Sequence, residues 1–527
     1  MTTLVHSTDT LTRDALTVLQ PGFTGTTPPD WLLRRLGEGL AAVGLFGRNI
    51  ASPEQLSALT ARLRAEREDI LVAIDEEGGD VTRLEVREGS SFPGNLALGA
   101  VDDTDLTRAV ARELGRRLAE CGVNLNWAPS ADVNSDPRNP VIGVRSFGAE
   151  PELVARHTAA YVEGMQAAGV AACAKHFPGH GDTAVDSHHD MPRIAADLRT
   201  LQERELVPFH AAIAAGTKAV MSAHILLPAL DGTLPATLSR NVLTGLLRAP
   251  ASEGGLGFDG LIVTDGMEMR AIAGTYGIER GSVLAIAAGA DAVCVGGGLA
   301  DEDTVLRLRD ALVTAVRTGE LPEERLADAA ARVRALARWA RDAGAAEGTA
   351  PAPEAGLVAA RRALRITRGA QPYEPLRAPA YVAALTPVAN IAVGDETPWG
   401  VAAELTRLLP GTETGSFGAA SDGAVAGGVA GAGDVAGASA AAGDAGLVGE
   451  VLRAAGDRRI VAVVRDAHRH PWMAEALDAL TTARPDTIVV EMGLPQAPPT
   501  GALHIATHGA ARVCGRAAAE VIAGLAD

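Results

Sequence analysis

Short apolar runs alternate with longer stretches of helical periodicity from the N-terminus to about residue 300. The apolar runs at Leu16–Pro21, Val43–Phe46, Ile70–Asp75, Asn124–Pro129, Val170–His176, Ala219–His224, Leu261–Asp265 and Ala292–Val295 read as strands. Between them, segments such as Pro53–Glu68, Leu106–Cys121, Glu152–Ala168, Asp197–Ala215 and Ile278–Gly289 carry the spacing of half-buried helices. Strands and helices in strict alternation predict an α/β fold with a parallel sheet, here a (β/α)8 TIM-like barrel over residues 1–340. A doubly wound open sheet is the alternative, but no GxGxxG opens the first unit. The polar residues gather where the apolar runs end, the face on which such barrels carry their chemistry.

Residues 341–353, RDAGAAEGTAPAP, lack apolar periodicity and read as a linker. Beyond it, apolar runs at Tyr381–Leu385, Ile460–Val464, Thr487–Glu491 and Leu503–Thr507 again alternate with helical patterns. They predict a smaller C-terminal α/β sandwich domain over 354–527. Its segment 415–446 is almost wholly Ala, Gly, Ser, Val and Asp and adds no repeat that changes the fold.

Composition narrows the partners. Aromatic residues make up 3% of the chain, so Ala, Val and Leu must fill the cores. With 47 basic and 65 acidic residues the net charge is −18, which disfavours nucleic acid and anionic membrane as partners. The four cysteines, Cys121, Cys173, Cys294 and Cys514, lie far apart and read as buried thiols, not as a disulfide framework or zinc site. The first residues lack a basic head followed by an apolar stretch, and no apolar run is long enough to span a bilayer, so a cytoplasmic protein is expected. Nothing in the sequence indicates the oligomeric state.

The chemistry concentrates in Gly169–Pro192, GVAACAKHFPGHGDTAVDSHHDMP. An apolar strand turns abruptly into a basic, Gly/Pro-punctuated loop with His176, His180, Asp182, Asp186, His188, His189 and Asp190. The residues alone leave three readings open: a polar loop of satisfied histidines, a His/Asp metal site, or a sugar-binding, proton-transferring loop. KHFPGHGDT followed by DSHHDMP resembles the signature of family 3 glycoside hydrolases, in the N-acetyl-β-glucosaminidase branch. The resemblance implies that Lys175 and His176 bind the sugar and that Asp186 and His188 form a general acid/base dyad. It implies no cofactor and no metal.

Three further segments fit the same resemblance. Asp75-Glu76-Glu77-Gly78-Gly79-Asp80-Val81-Thr82-Arg83 is similar to the family's Asp-Gln-Glu-Gly-Gly-Arg-Val-x-Arg pattern, which implies terminal-sugar contacts from Asp75 and Arg83. The departures at Glu76 and Asp80 are expected to make the site entrance more acidic and less welcoming to an anionic muropeptide. Gly143-Val144-Arg145-Ser146-Phe147 is similar to an element whose Arg reaches the sugar, so Arg145 is a further ligand candidate, with Asp132 and Asn134 structural. His224 is expected to orient a neighbour. Val263-Thr264-Asp265-Gly266-Met267-Glu268-Met269 resembles the nucleophile motif, which makes Asp265 the nucleophile and leaves Glu268 structural. The implied activity is a retaining, exo-acting β-N-acetylglucosaminidase on an N-acetylglucosamine-containing oligosaccharide or glycoconjugate. Peptidoglycan turnover is the expected setting, and the aglycone could be a muropeptide, a chitooligosaccharide or a glycosylated metabolite. A phosphorylase working at the same site is the alternative. The resemblance spans residues from about 12 to 300.

Overall fold

The computed structural model describes residues 2–183, 191–343, 351–370, 373–387, 397–418 and 444–526. The chain divides into two compact units, residues 1–359 with 390–398, and residues 360–389 with 399–527.

The described residues of the first unit form eight strands: β1 (Leu19–Pro21), β2 (Ala42–Leu45), β3 (Leu71–Ile74), β4 (Leu125–Asn126), β5 (Ala171–Phe177), β6 (Ala219–Ser222), β7 (Leu261–Thr264) and β8 (Val293–Val295). β2 to β7 pair in sequence order as one parallel sheet. β8 joins β7 through a parallel bridge at Val263 and Ala292, and pairs β1 with Leu19 opposite Val293. β1 lies beside β2 with no ladder between them among the described residues. The result is the TIM-like barrel, open in its hydrogen bonding at one seam.

Side-chain alternation sorts each strand between two cores. Leu71, Ala73, Leu125, Ala171, Cys173, Ala219, Met221, Leu261, Val263, Ala292 and Cys294 cluster inside the barrel. Val72, Ile74, Ala172, Ala174, Val220, Ile262 and Val293 pack outward into the larger core shared with the helices. Small inner residues explain how a chain poor in aromatics fills a barrel. The helix Glu323–Ala343 adds Val333, Leu336 and Ala337 to the inner cluster. Its Arg332 pairs with Asp259, just ahead of β7, at 2.8 Å, so this helix packs on the N-terminal end of the strands and leaves the C-terminal end for the site.

Several strands are shorter than their apolar runs. Leu16 and Thr17 belong to the helix Thr2–Thr17, whose end is held by the Thr17 hydroxyl on the Arg13 carbonyl at 2.9 Å. β4 keeps only Leu125 and Asn126, because the run goes on to Pro129, which has no N–H to give a ladder. The helix Glu323–Ala343 also runs into the stretch read as linker.

The described residues of the second unit form a six-stranded sheet in the order β11-β10-β12-β13-β14-β9: β11 (Glu413–Phe417), β10 (Tyr381–Leu385), β12 (Ile460–Val464), β13 (Ile488–Glu491), β14 (Leu503–Ala506) and β9 (Arg365–Arg368). All pairs are parallel except the edge strand β9, which runs antiparallel to β14. Residues of β10, β12 and β13 form one core with the helices Asp444–Ala455 and Pro471–Ala483. No helix of the described residues is long and apolar enough to cross a membrane.

Candidate active site

The inner register of the barrel continues past the last ladder residues and delivers the polar groups. β3 has Leu71 and Ala73 inside, and the same face next presents Asp75 and Glu77. β5 has Ala171 and Cys173 inside, followed by Lys175, and β7 has Leu261 and Val263, followed by Asp265. These strand ends meet at a cavity of about 560 Å³, lined by Asp75, Arg83, Arg145, Lys175, His176 and Asp265 and by Phe46, Trp127 and Met221. Its volume lies within the range of small-molecule sites, about 300–1,000 Å³.

Lys175 and Arg145 are both buried here and both anchored on carboxylates. Lys175 Nζ donates to Asp75 and, at 2.7 Å, to Glu77 Oε1. Arg145 grips Glu77 with two donors, Nη2 to Oε1 at 2.6 Å and Nε to Oε2 at 3.0 Å. Burial would raise the Glu77 carboxyl, but the charges of Arg145 and Lys175 outweigh it and hold that carboxyl well below the ordinary range. Burial likewise opposes the Lys175 ammonium, while Asp75 and Glu77 raise its pKa above the ordinary lysine value. Arg83 approaches Asp75 from the other side, Nη2 to Oδ2 at 3.8 Å. Glu77, for which the sequence motif implies no role, thus anchors both cations.

Asp132, expected to be structural, is buried and organises the histidine loop. Its Oδ1 accepts the backbone N–H groups of His176 (3.1 Å) and His180 (2.7 Å), and its Oδ2 lies 2.8 Å from His176 Nδ1. An ionised carboxylate only accepts, so Nδ1 carries the shared proton and Nε2 is left toward Arg145 Nη2, 3.4 Å away. Burial, reinforced by the neighbouring His176, pushes His180 down to about 4. Asn139 Nδ2 binds the carbonyls of His180 (2.9 Å) and Gly181 (3.1 Å), and Asn134 Oδ1 accepts the Gly143 N–H at 3.1 Å. Gly181 is required: a Cβ there would sit 1.7 Å from the Val133 carbonyl.

Asp265 caps β7. Its N–H donates to the Ser222 carbonyl at 3.2 Å and its Oδ1 accepts from the Gly266 N–H at 2.8 Å. His224 supports this turn as expected, with Nε2 donating to the Gly266 carbonyl at 3.0 Å and Nδ1 meeting the Thr237 hydroxyl at 2.9 Å. Glu268 accepts from the Gly296 N–H at 3.0 Å and from Gly297, tying the end of β8 to that of β7. It also lines the cavity, beyond the purely structural part expected of it.

The expectation of an acidic entrance is corrected. Glu76 is 1% exposed and Asp80 is 6% exposed, and neither lines the cavity. Glu76 turns away from it because strand alternation sends residue 76 to the side opposite 75 and 77. Gly79, at φ +64°, packs so closely that a Cβ would lie 2.4 Å from the Gly94 Cα, which keeps the turn folded in. Asp186, His188, His189 and Asp190 lie outside the described residues, so the proposed dyad is known from its motif alone.

No group of three or more His, Cys, Asp or Glu side chains among the described residues is arranged to hold a metal ion. The parallel barrel thus brings a capped aspartate, anchored cations and carboxylates together at the C-terminal strand ends, the face on which barrel enzymes carry their sites. Residues 36–336 match the glycosyl hydrolase family 3 N-terminal domain. The β-hexosaminidase of Alkalilimnicola ehrlichii is 36% identical over 328 residues, covering 60% of this chain and 92% of the relative. β-Hexosaminidase A of Pseudoalteromonas piscicida is 35% identical over 338 residues, of which this chain spans 55% of the relative's length. A glycoside hydrolase family 3 β-N-acetylglucosaminidase from Paenibacillus sp. str. FPU-7 superposes with a TM-score of 0.82 at 34% identity, covering 98% of this chain and 97% of that one. The chain belongs to glycosyl hydrolase family 3.

Proposed function

We propose that this protein is a retaining, exo-acting β-N-acetylglucosaminidase. One observation carries the reading: Asp265, capping β7, shares a single cavity with Asp75, Arg83, Arg145, Lys175 and His176. Fixed cations and carboxylates of that kind hold the hydroxyls of a terminal sugar in one orientation, with its anomeric carbon toward Asp265. Asp265 then attacks that carbon, the aglycone leaves with a proton, and water hydrolyses the glycosyl-aspartate. His188 supplies and recovers the proton, with Asp186 two residues earlier fixing its tautomer. The N-acetyl preference follows the named activities of the similar proteins and the Lys175–His176 motif.

The direct test is covalent trapping. A 2-deoxy-2-fluoro glycoside should label Asp265, and Asp265→Ala should lower kcat by on the order of 10⁴ or more with the fold retained. Labelling of a different carboxylate, or near-normal turnover by the variant, overturns the assignment.

A further inference from the structure

Glu76 is buried between two residues that serve the cavity, Asp75 and Glu77, on the opposite side of the strand end. Its backbone is locked to β4: the Glu76 N–H donates to Asn126 Oδ1 at 3.0 Å, and Asn126 Nδ2 donates back to the Glu76 carbonyl at 2.7 Å. Its side chain reaches across the turn to the far end. There Oε2 accepts the Thr82 hydroxyl at 3.1 Å and the backbone N–H groups of Arg83 and Leu84, both at 2.7 Å. Oε1 is buried with no hydrogen-bond partner among the described residues. One oxygen therefore fixes the main chain from which Arg83 enters the cavity, and the other is left without a partner among the described residues.

We propose that Glu76 is a positioning residue that makes sugar affinity depend on pH, its anion holding Arg83 in place more firmly than its neutral form does. Three donors converging on one oxygen suit an anion, because hydrogen bonds to an ionised acceptor are about twice as strong as neutral ones. Burial opposes that anion and drives Glu76 up to about 7, against the lowering pull of the Leu84, Arg83 and Thr82 donors, with Glu85 adding to the rise. Among the described residues, the other charged or titratable groups around it are Asp75, Glu77 and Asp80 on the same turn, Arg83 at its end, and Tyr161 from the helix Pro151–Ala167. Glu77 is held far below neutrality by its cations, and burial together with Glu76, Glu77 and Asp75 holds Tyr161 well above its ordinary value. Glu77 and Tyr161 are thus held on opposite sides of neutrality, with Glu76, raised by burial to about 7, between them.

The inference rests on the glycosidase reading for the sugar that Arg83 meets, and the test separates the two. KM and kcat on 4-nitrophenyl N-acetyl-β-D-glucosaminide are measured from about pH 5.5 to 8.5 for wild type, Glu76→Gln and Glu76→Ala. Wild-type KM should fall roughly 3–10-fold as pH rises through about 7. In Glu76→Gln it should stay flat near the acid-side value, and in Glu76→Ala it should be high throughout. A Glu76→Gln enzyme that keeps the wild-type KM titration, or a loss confined to kcat, overturns the proposal. Thermal melts give a readout independent of turnover. A carboxyl raised in the folded state favours folding below its unfolded value and loses that contribution as pH rises through its folded value. The Tm of Glu76→Gln should therefore gain on wild type between about pH 5 and 8, and a constant difference refutes the titration. Absence of turnover on any N-acetylglucosaminide, with the melt difference present, would count against the glycosidase reading and leave the titration standing.

Discussion

Replacing Glu77 by Gln tests the electrostatic centre of the cavity without opening a void. Glu77 makes two charge-assisted bonds to Arg145, at 2.6 and 3.0 Å, and one to Lys175 at 2.7 Å. Its side chain is 3% exposed, beside a 6% exposed Arg145 and a 2% exposed Lys175. In the variant, Lys175 still has Asp75, but Arg145 loses its ionic partner: the amide offers one neutral acceptor oxygen in place of two charged ones, beside the Val141 carbonyl at 3.2 Å and the long contact to His176. Removing one member of a buried ion pair strands the other charge and costs about 3–5 kcal/mol. At about 2.1 cal/mol/K per residue, the unit made chiefly of residues 1–359 should lose roughly 4–7 °C in Tm at neutral pH. Since the folded carboxyl is held below its unfolded value, its stabilisation is complete above the unfolded value of about 4.5 and declines as pH falls toward the folded one. The gap between wild type and Glu77→Gln should therefore be full at pH 7 and narrow below about pH 4.5. KM on an aryl N-acetylglucosaminide should rise at least tenfold, because Arg145 and Lys175 lose their common anchor. A variant within 1 °C of wild type at pH 7, with unchanged KM, would refute the shared-anchor geometry.

Two further outcomes are expected. His188→Ala should cost roughly 10²–10⁴ on glycosides with poor leaving groups and far less on an activated aryl glycoside, with Asp186→Asn a weaker version; equal losses on both substrates would make His188 a sugar ligand instead. Exhaustive chelation should leave activity unchanged, and activity lost to a chelator and restored by zinc would revive the metal reading of the histidine loop.

The strand ends were legible because apolar runs that break into charge are an unambiguous pattern, and Asp75, Lys175 and Asp265 each follow such a run. Their arrival at one cavity follows from the inner register of three strands. The same alternation, carried two residues past β3, would have turned Glu77 inward and Glu76 outward from sequence alone. Placing Glu76 and Asp80 at the site entrance missed it. Other features had no local signal. Asp132 acts through hydrogen bonds to residues 44 and 48 positions away, His176 and His180. His176 itself lines the cavity directly after Lys175, breaking the alternation where the β5–β6 register shifts between Ala174 and Phe177. Phe46 and Trp127 lie in apolar runs read only as strands, and barrel closure makes them cavity wall.

The charge layout also bears on what receives the glycosyl group. Arg83, Arg145 and Lys175 line the cavity, but Lys175 is paired with Asp75 and Glu77, Arg145 with Glu77, and Arg83 faces Asp75. Asp265 and Glu268 add further carboxylates to the same wall. Arg270, exposed at the lining, is the cation there with no carboxylate partner among the described residues. A histidine acid/base becomes neutral after donating its proton, so it repels an incoming anion less than a carboxylate would. That leaves phosphate a route to the glycosyl-enzyme, but with one unpaired arginine rather than a cationic cradle to receive it. Water should therefore remain the main acceptor. With an aryl N-acetylglucosaminide and millimolar phosphate, N-acetylglucosamine 1-phosphate should be a minor product, and Arg270→Ala should reduce it further while sparing hydrolysis. Sugar phosphate as the dominant product would make the enzyme a phosphorylase. A minor phosphate product unchanged in Arg270→Ala would show that the acceptor reaches the intermediate by a path away from Arg270.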